Sequence, residues 1–179
     1  MPPILIALNA EIELRHGEKT RTLPLEKYFI TYGQQDLKKG EFVSAVIIPT
    51  TEAKFLRCYK LSKRFDQDIS AVMMAANIIL QNNIITEARF AFGGMAGIPM
   101  RAQNVEKALV GQPLNKVSFA GAAAHLDKDF MPLTDMRGSA EYRLQAAKNL
   151  VLKYGLELTG KVKIDLANQA ASKMTIGIQ

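Results

Sequence analysis

Ala71-Val72-Met73-Met74-Ala75-Ala76-Asn77-Ile78-Ile79-Leu80-Gln81-Asn82-Asn83-Ile84-Ile85-Thr86-Glu87-Ala88-Arg89-Phe90-Ala91-Phe92 is the stretch that decides the fold class. Its first ten residues are rich in Ala and Met, which favour helix by intrinsic propensity. Asn82-Asn83 follows, and Glu87 to Phe92 then alternates cleanly through Ala88, Phe90 and Phe92. Two apolar runs flanking an Asn-rich turn predict a β-hairpin, against the propensity. Upstream, Lys54 to Ser62 also alternates, with Phe55, Arg57, Tyr59 and Leu61 on one face and Leu56, Cys58 and Lys60 on the other. That adds a third strand to the same sheet.

Beyond the hairpin the pattern turns helical. Ala102 to Val110 places Ala102, Val105 and Leu109 on one face, and Gly111 and Pro113 stop it. Lys116 to Leu126 is Ala-rich and predicts a second helix. Ser139 to Tyr154 predicts a third, with Tyr142, Ala146, Ala147, Leu150, Val151 and Tyr154 on its apolar face and Gly155 at its end. Leu156 to Gln179 has no dominant period and reads as a poorly ordered tail.

At the other end, Ile4, Ile6, Leu8, Ala10, Ile12 and Leu14 recur every second residue, the period of a half-buried strand. His16-Gly17 supplies a turn and Lys19 to Leu23 returns as a second strand. Pro24 can open a short helix through Ile30, Gly33 to Gly40 reads as a loop, and Glu41 to Pro49 is a strand ended by its proline. A boundary falls at Thr50-Thr51-Glu52. Two or three strands cannot close a core alone, so something outside residues 1–50 is expected to pack on them. The whole is an α+β arrangement in two parts.

Composition excludes several functions. The 179 residues carry 48% hydrophobic and 22% charged side chains, ordinary for a soluble globular protein. The longest apolar run, Ala71 to Leu80, is too short for a bilayer, and the N-terminus lacks the pattern of a secretion signal, so a cytoplasmic location without membrane contact is expected. The lone Cys58 rules out an internal disulfide and a cysteine-ligated iron–sulfur cluster, and His16 and His125 do not form a zinc pattern. The net charge of +6 is spread along the chain, which reads as a solvated basic surface rather than a nucleic-acid interface.

Catalytic motifs are scarce. Phe92-Gly93-Gly94-Met95-Ala96-Gly97 ends a strand and reads as a tight turn rather than a phosphate cradle. The densest polar stretch, Tyr59 to Ile69, joins two strands of one sheet, a plausible place for function because loops carry it on a rigid frame. Asp135 and Glu141 flank the start of the last helix, where negative charge is favoured, and Arg137 and Arg143 are positioned to pair with carboxylates; a structural role is favoured there.

Taken in order, these motifs resemble one family. Leu23-Pro24-Leu25-Glu26-Lys27-Tyr28-Phe29 and Gly40-Glu41-Phe42-Val43 resemble the end of its FAD-binding domain. Tyr59-Lys60 with Asp68-Ile69, Phe92-Gly93-Gly94-Met95-Ala96, and Arg137-Gly138-Ser139-Ala140-Glu141-Tyr142-Arg143 resemble its C-terminal flavoprotein domain. The family is the FAD subunit of molybdenum hydroxylases, and Thr31 to Asp36 with Pro2-Pro3 look most like the bacterial xanthine dehydrogenase small subunits.

The resemblance implies three segments: residues 1–50 as the remnant of a vanillyl-alcohol-oxidase-type FAD-binding domain, 51–158 as a three-stranded antiparallel sheet with a helical bundle, and 159–179 as a tail. For the complete enzyme it implies hydroxylation of a purine at a molybdenum cofactor on a partner subunit. Electrons would pass through [2Fe–2S] clusters to FAD and on to NAD. It further implies that Val43 touches the flavin and that Lys60 lies near the ring, where a positive charge stabilises the anionic reduced form. Arg64, Asp66, Gln67 and Asp68 would fall in a loop that shields the ring and influences NAD access, with Gln67 where the family often carries an acid. Two glycine-rich diphosphate loops of the family would lie upstream of Pro2. Without them the expectation is that the isolated chain is inactive and does not hold FAD tightly. The alternative expectation is a docking module for molybdenum or iron–sulfur partners.

Overall fold

The computed structural model describes residues 1–49, 53–64 and 67–160. The expected boundary at 50–52, the loop residues Phe65 and Asp66, and the tail from 161 onward lie outside the described residues.

The chain opens with helix α1 (Pro2–Ala7), followed by strands β1 (Glu11–His16) and β2 (Lys19–Pro24), the one-turn helix α2 (Leu25–Tyr28), and strands β3 (Phe29–Thr31), β4 (Gln34–Gln35) and β5 (Phe42–Ile47). Strands β6 (Arg57–Leu61), β7 (Val72–Gln81), β8 (Ile84–Gly93) and β9 (Met100–Arg101) come next. Helices α3 (Gln103–Leu109), α4 (Lys116–Ala123), α5 (Leu126–Asp129) and α6 (Ala140–Leu158) complete it. The sheets run β2-β1-β5, β3-β4 and β6-β7-β8-β9, and every strand pair is antiparallel.

The β7–β8 hairpin is the centre of the molecule. Asn82 and Asn83 adopt φ of 50° and 64°, the two positive values that a tight hairpin turn demands and that asparagine tolerates better than most residues. One face of the hairpin (Val72, Met74, Ala76, Ile78, Phe90, Phe92) packs under the helical layer, against Val105, Leu109, Phe119, Ala147, Val151 and Tyr154. The other face carries Ala75 paired with Ala91, both buried against Ile6 and Ala7 of α1. A sheet covered on both sides explains why 71–80 reads as one apolar run. Ala75 and Ala91 mark where α1 sits close, while Ala76 lies on the face under the helical layer.

The N-terminus corrects the strand expected over residues 4–14. Residues 2–7 are helical, and only Glu11–His16 form a strand. Proline at the first two helical positions pre-sets φ, and Asn9 at φ 58° ends the helix by turning left-handed. A short apolar block satisfies either period, and contact with the hairpin selects the helix.

Further expectations change. The helix expected from Pro24 through Ile30 stops at Tyr28 and gives way to β3, the loop over 33–40 contains β4, which pairs with β3, and the helix expected over 116–126 stops at Ala123, with α5 following as a separate turn. The last helix runs through Gly155 to Leu158, and on it Tyr142 is half exposed while Arg143 is buried. Gly155 sits in the last turn of α6, where a Cβ would lie 2.5 Å from the Phe119 ring. The three-stranded sheet expected from the resemblance is present and gains the two-residue β9 as a fourth strand.

Candidate functional site

The first and second parts meet along the α1 side of the hairpin. Lys60 of β6 is cross-strand partner to Met73 of β7, and Met73 is partner to Gly93 of β8. Cross-strand partners share a sheet face, so Lys60, Met73 and Gly93 form one row. That face is the one carrying α1: a Cβ at Gly93 would lie 3.4 Å from Cγ of Pro3 and 3.8 Å from Cβ of Met73. Leu56, on the same alternation as Lys60, packs with Ala75, Ala91 and Ile6.

At the end of this row lies a cleft of about 430 Å³, walled by Pro2 and Pro3, by Ile69 and Ser70, by Met73 with Gly93 and Gly94, and by Leu133. Arg137 and Arg143 close one side with Asp135. Gly94 turns left-handed at φ 80°, and a side chain there would collide with the Ala71 carbonyl. The glycine cluster is thus a tight strand-end turn that also forms a flat, backbone-lined wall.

Arg143 organises the far wall. Its side chain is 4% exposed, and Nη1 donates to the carbonyls of Ala71 (2.5 Å) and Gly94 (2.7 Å). Nη2 donates to Asp135 at 2.6 Å. One guanidinium therefore ties the start of β7, the glycine turn and the loop before α6. Asp135 is held below the usual carboxylate range, first by the Arg137 backbone N–H and then by Arg143. The residue pattern placed Arg143 near carboxylates. Its burial was not legible, because the apolar stripe of α6 pointed to its neighbour.

The loop between β6 and β7 is held by Asp68. Its carboxylate accepts from the backbone N–H groups of Arg64 (2.9 Å) and Ile69 (2.9 Å), with the Arg64 guanidinium at 3.5 Å. Those contacts, the Arg64 backbone N–H first, keep its pKa below the ordinary value. Asp68 spends its oxygens on the loop, and that places the next residues, Ile69 and Ser70, at the cleft. Lys60 is exposed on the α1 face, Arg64 and Gln67 are exposed in the loop, and Val43 lies elsewhere. It sits on β5 opposite Leu14, 41% exposed, and does not line this cleft.

A second network, which the sequence reading missed, links the two parts. Arg89 donates to the Ile6 carbonyl at 3.0 Å and to Glu26 at 3.1 Å. Arg101 reaches Glu26 at 3.2 Å and Glu106 at 2.6 Å, while buried Glu106 accepts the Phe90 N–H at 2.8 Å. The Arg89–Ile6, Arg89–Glu26 and Arg101–Glu26 pairs span 83, 63 and 75 residues and leave no local signal.

The cleft suits the flat ring of a flavin better than its diphosphate. The wall is apolar and glycine-lined, and its size lies within the range of small-molecule sites, ~300–1,000 Å³. A diphosphate wants clustered backbone donors. Pro2 and Pro3 have no N–H, and the Ile4 N–H already donates to the Met1 carbonyl at 3.0 Å. Among the described residues, the segment facing the cleft from α1 provides no phosphate cradle. The described residues also hold no grouping of His, Cys, Asp and Glu fit for a metal, and no helix long and apolar enough to cross a membrane.

Comparison with known proteins agrees with this layout. Residues 57–158 match the CO dehydrogenase flavoprotein C-terminal domain, and residues 1–51 match the FAD binding domain in molybdopterin dehydrogenase. The chain is 32% identical over 153 residues to the glyceraldehyde dehydrogenase medium chain of Sulfolobus acidocaldarius, covering 86% of this chain and 54% of that protein. It is 28% identical to the xanthine dehydrogenase FAD-binding subunit of Escherichia coli O157:H7, covering 84% and 52%. Quinoline 2-oxidoreductase from Pseudomonas putida 86 superposes with a TM-score of 0.77 at 25% identity, over 88% of this chain and 54% of that one. The chain thus spans about half the length of these relatives. With a matching model over more than half its residues, it belongs to the CO dehydrogenase flavoprotein C-terminal domain family, among the flavoproteins of the molybdenum hydroxylases.

Proposed function

We propose that this chain supplies one wall of the flavin site in the FAD subunit of a xanthine-dehydrogenase-type molybdenum hydroxylase. In that assembly, electrons from purine hydroxylation at a molybdenum subunit pass through [2Fe–2S] clusters to FAD and on to NAD. The observation that carries the reading is the row Lys60–Met73–Gly93 running to a glycine-walled cleft beside α1. FAD, when bound, supplies the one- and two-electron chemistry. The residues of this chain exclude water from one side of the ring, and the Lys60 ammonium favours its anionic reduced form. Asp68 acts as a positioning residue by holding Ile69 and Ser70 at the cleft. Val43, the third residue of the expected site, belongs to the separate sheet, and its contact with flavin would be made from there. On this reading the diphosphate would be held by loops other than the residues that wall this cleft.

The test is the visible spectrum of the purified chain after incubation with FAD and desalting. The expected result is a colourless protein that retains flavin once a separately expressed N-terminal half of the subunit is added. Retention by the chain alone would overturn the assignment of the phosphate loops. In the complete subunit, Lys60→Ala is expected to slow flavin reduction or lower its potential without unfolding the domain. An unchanged rate and potential would remove Lys60 from the site.

A second reading, a docking module for molybdenum or iron–sulfur partners, has one observation in its favour. All six residues of the edge strand β5 are exposed, with Phe42, Val43, Val46 and Ile47 each more than 40% accessible. Natural sheets rarely leave such an edge uncovered. Partner binding by the chain without recovery of flavin would favour this reading over the first.

A further inference from the structure

Helix α1 has six residues, too few to be stable alone, so contacts from elsewhere hold it in place. The hairpin offers it a seat of small residues. Ala75 and Ala91 pack against Ile6 and Ala7, and a Cβ at Gly93 would lie 3.4 Å from Cγ of Pro3. Apolar contact is non-directional, so a smooth seat fixes the height of a helix above a sheet better than its position along it. Direction comes from Arg89 of β8. Its Nε donates at 3.0 Å to the Ile6 carbonyl in the last turn of α1, where a cation complements the helix dipole. Its Nη2 donates to Glu26 of α2 at 3.1 Å. Glu26 also accepts from Arg101 of β9 at 3.2 Å, and Arg101 is bound in turn to Glu106 of α3 at 2.6 Å. Through one side chain, Arg89 joins both α1 and α2 to the hairpin. At its other end α1 presents Pro2 and Pro3 to the ring-sized cleft, and six residues at about 1.5 Å each make that lever roughly 9 Å long.

We propose that Arg89 is a positioning residue for that cleft: it fixes α1 along the hairpin, and through the helix it fixes the Pro2–Pro3 wall that meets the flavin ring. The role at the ring rests on the flavin reading above; the anchoring of α1 does not. The fork of an arginine matters here, because its separate N–H groups reach acceptors on two helices in one fixed geometry, which a lysine point charge does not reproduce. Loss of Arg89 leaves each acceptor a second donor. The Asn9 N–H stays on the Ile6 carbonyl at 3.0 Å, and Arg101 stays on Glu26. An Arg89→Met chain, which keeps an apolar stem, is therefore expected to fold and to lose the placement of α1.

The experiment has two arms. In the 179-residue chain without flavin, hydrogen exchange is followed at the Leu8, Asn9 and Ala10 amides, which bond back to the carbonyls of Ile4, Ile6 and Leu5. The expected result is exchange about tenfold faster in Arg89→Met, as for the loss of one charge-assisted hydrogen bond, an intermediate rate in Arg89→Lys, and unchanged amides in α6. In the complete subunit with FAD, Arg89→Met is expected to blur the vibronic structure of the flavin band and to weaken flavin retention on dilution, with Arg89→Lys in between. Unchanged exchange in Arg89→Met would overturn the anchoring. Faster exchange with the flavin band and retention of wild type would overturn the positioning role. Failure of the flavin reading shows elsewhere, as a wild-type flavin indifferent to Lys60→Ala, and leaves the result of the exchange arm standing.

Discussion

Replacing Gly155 by alanine sets two effects of opposite sign against each other. In an exposed helix interior, Gly→Ala stabilises by about 1 kcal/mol through backbone entropy. Here the new Cβ would lie 2.5 Å from both Cδ2 and Cγ of Phe119 and 2.9 Å from its Cβ. Those are the near atoms of the side chain, so no rotation of the ring relieves them. Phe119 is fully buried and meets Tyr154 edge-on at 5.8 Å, and the Tyr154 hydroxyl is anchored to the Phe55 carbonyl at 2.8 Å. Helices α4 and α6 must therefore separate, an overpacking cost of about 1–3 kcal/mol or more. The net expectation is a loss of about 1–2 kcal/mol, which at a urea dependence of about 2 kcal/mol per molar lowers the midpoint by roughly 0.5–1 M. Far-UV circular dichroism is the suitable probe, since the chain has no tryptophan. Phe119→Ala alone should cost about 3–5 kcal/mol, and in that background Gly155→Ala should cost less, because the two 2.5 Å contacts are gone and only the 2.9 Å contact with the Cβ remains. The cycle should show about 1–2 kcal/mol of coupling. A raised midpoint for Gly155→Ala in the native background, or simple additivity of the two changes, would refute this account of the glycine.

Arg143→Ala should destabilise the chain by about 3–5 kcal/mol, because it strands two backbone carbonyls and leaves Asp135 without its nearest cation; a urea midpoint within error of wild type would contradict the clamp. Asn83→Ala should cost about 1–2 kcal/mol at φ 64°, while Asn83→Gly should be neutral or mildly stabilising. Equal effects of the two in thermal melts would remove the strain argument for the hairpin turn. Arg21 binds both Glu41 and Asp36, and the guanidinium, with the Lys38 N–H, lowers the Glu41 pKa from an ordinary 4.5 to about 2. A depressed carboxylate stabilises fully above its unfolded value, so the 36–41 loop should be held above pH 4.5 and released only as pH falls through about 2. Amide NMR signals of that loop titrating near 4.5 would contradict this.

Several features were legible because their causes are local. The Asn82-Asn83 turn and the alternation of β6 and β8 each depend on a few consecutive residues. The order of the short motifs was enough to point to the family. The candidate site was legible only in part: Lys60 and the glycine turn could be named from the sequence, but not the row that joins them.

From the sequence alone came the hairpin and the helical layer, since turn chemistry and hydrophobic period act over a few residues. Only the tertiary structure decided which apolar block at the N-terminus became α1, why Gly155 lies inside a helix, and that Arg143 rather than Tyr142 is buried. Each of these is settled by an atom from a distant part of the chain: the Ala75–Ala91 pair, the Phe119 ring, and the Ala71 and Gly94 carbonyls. A local pattern cannot encode the separation at which two such segments meet, and at these positions that separation chooses the residue.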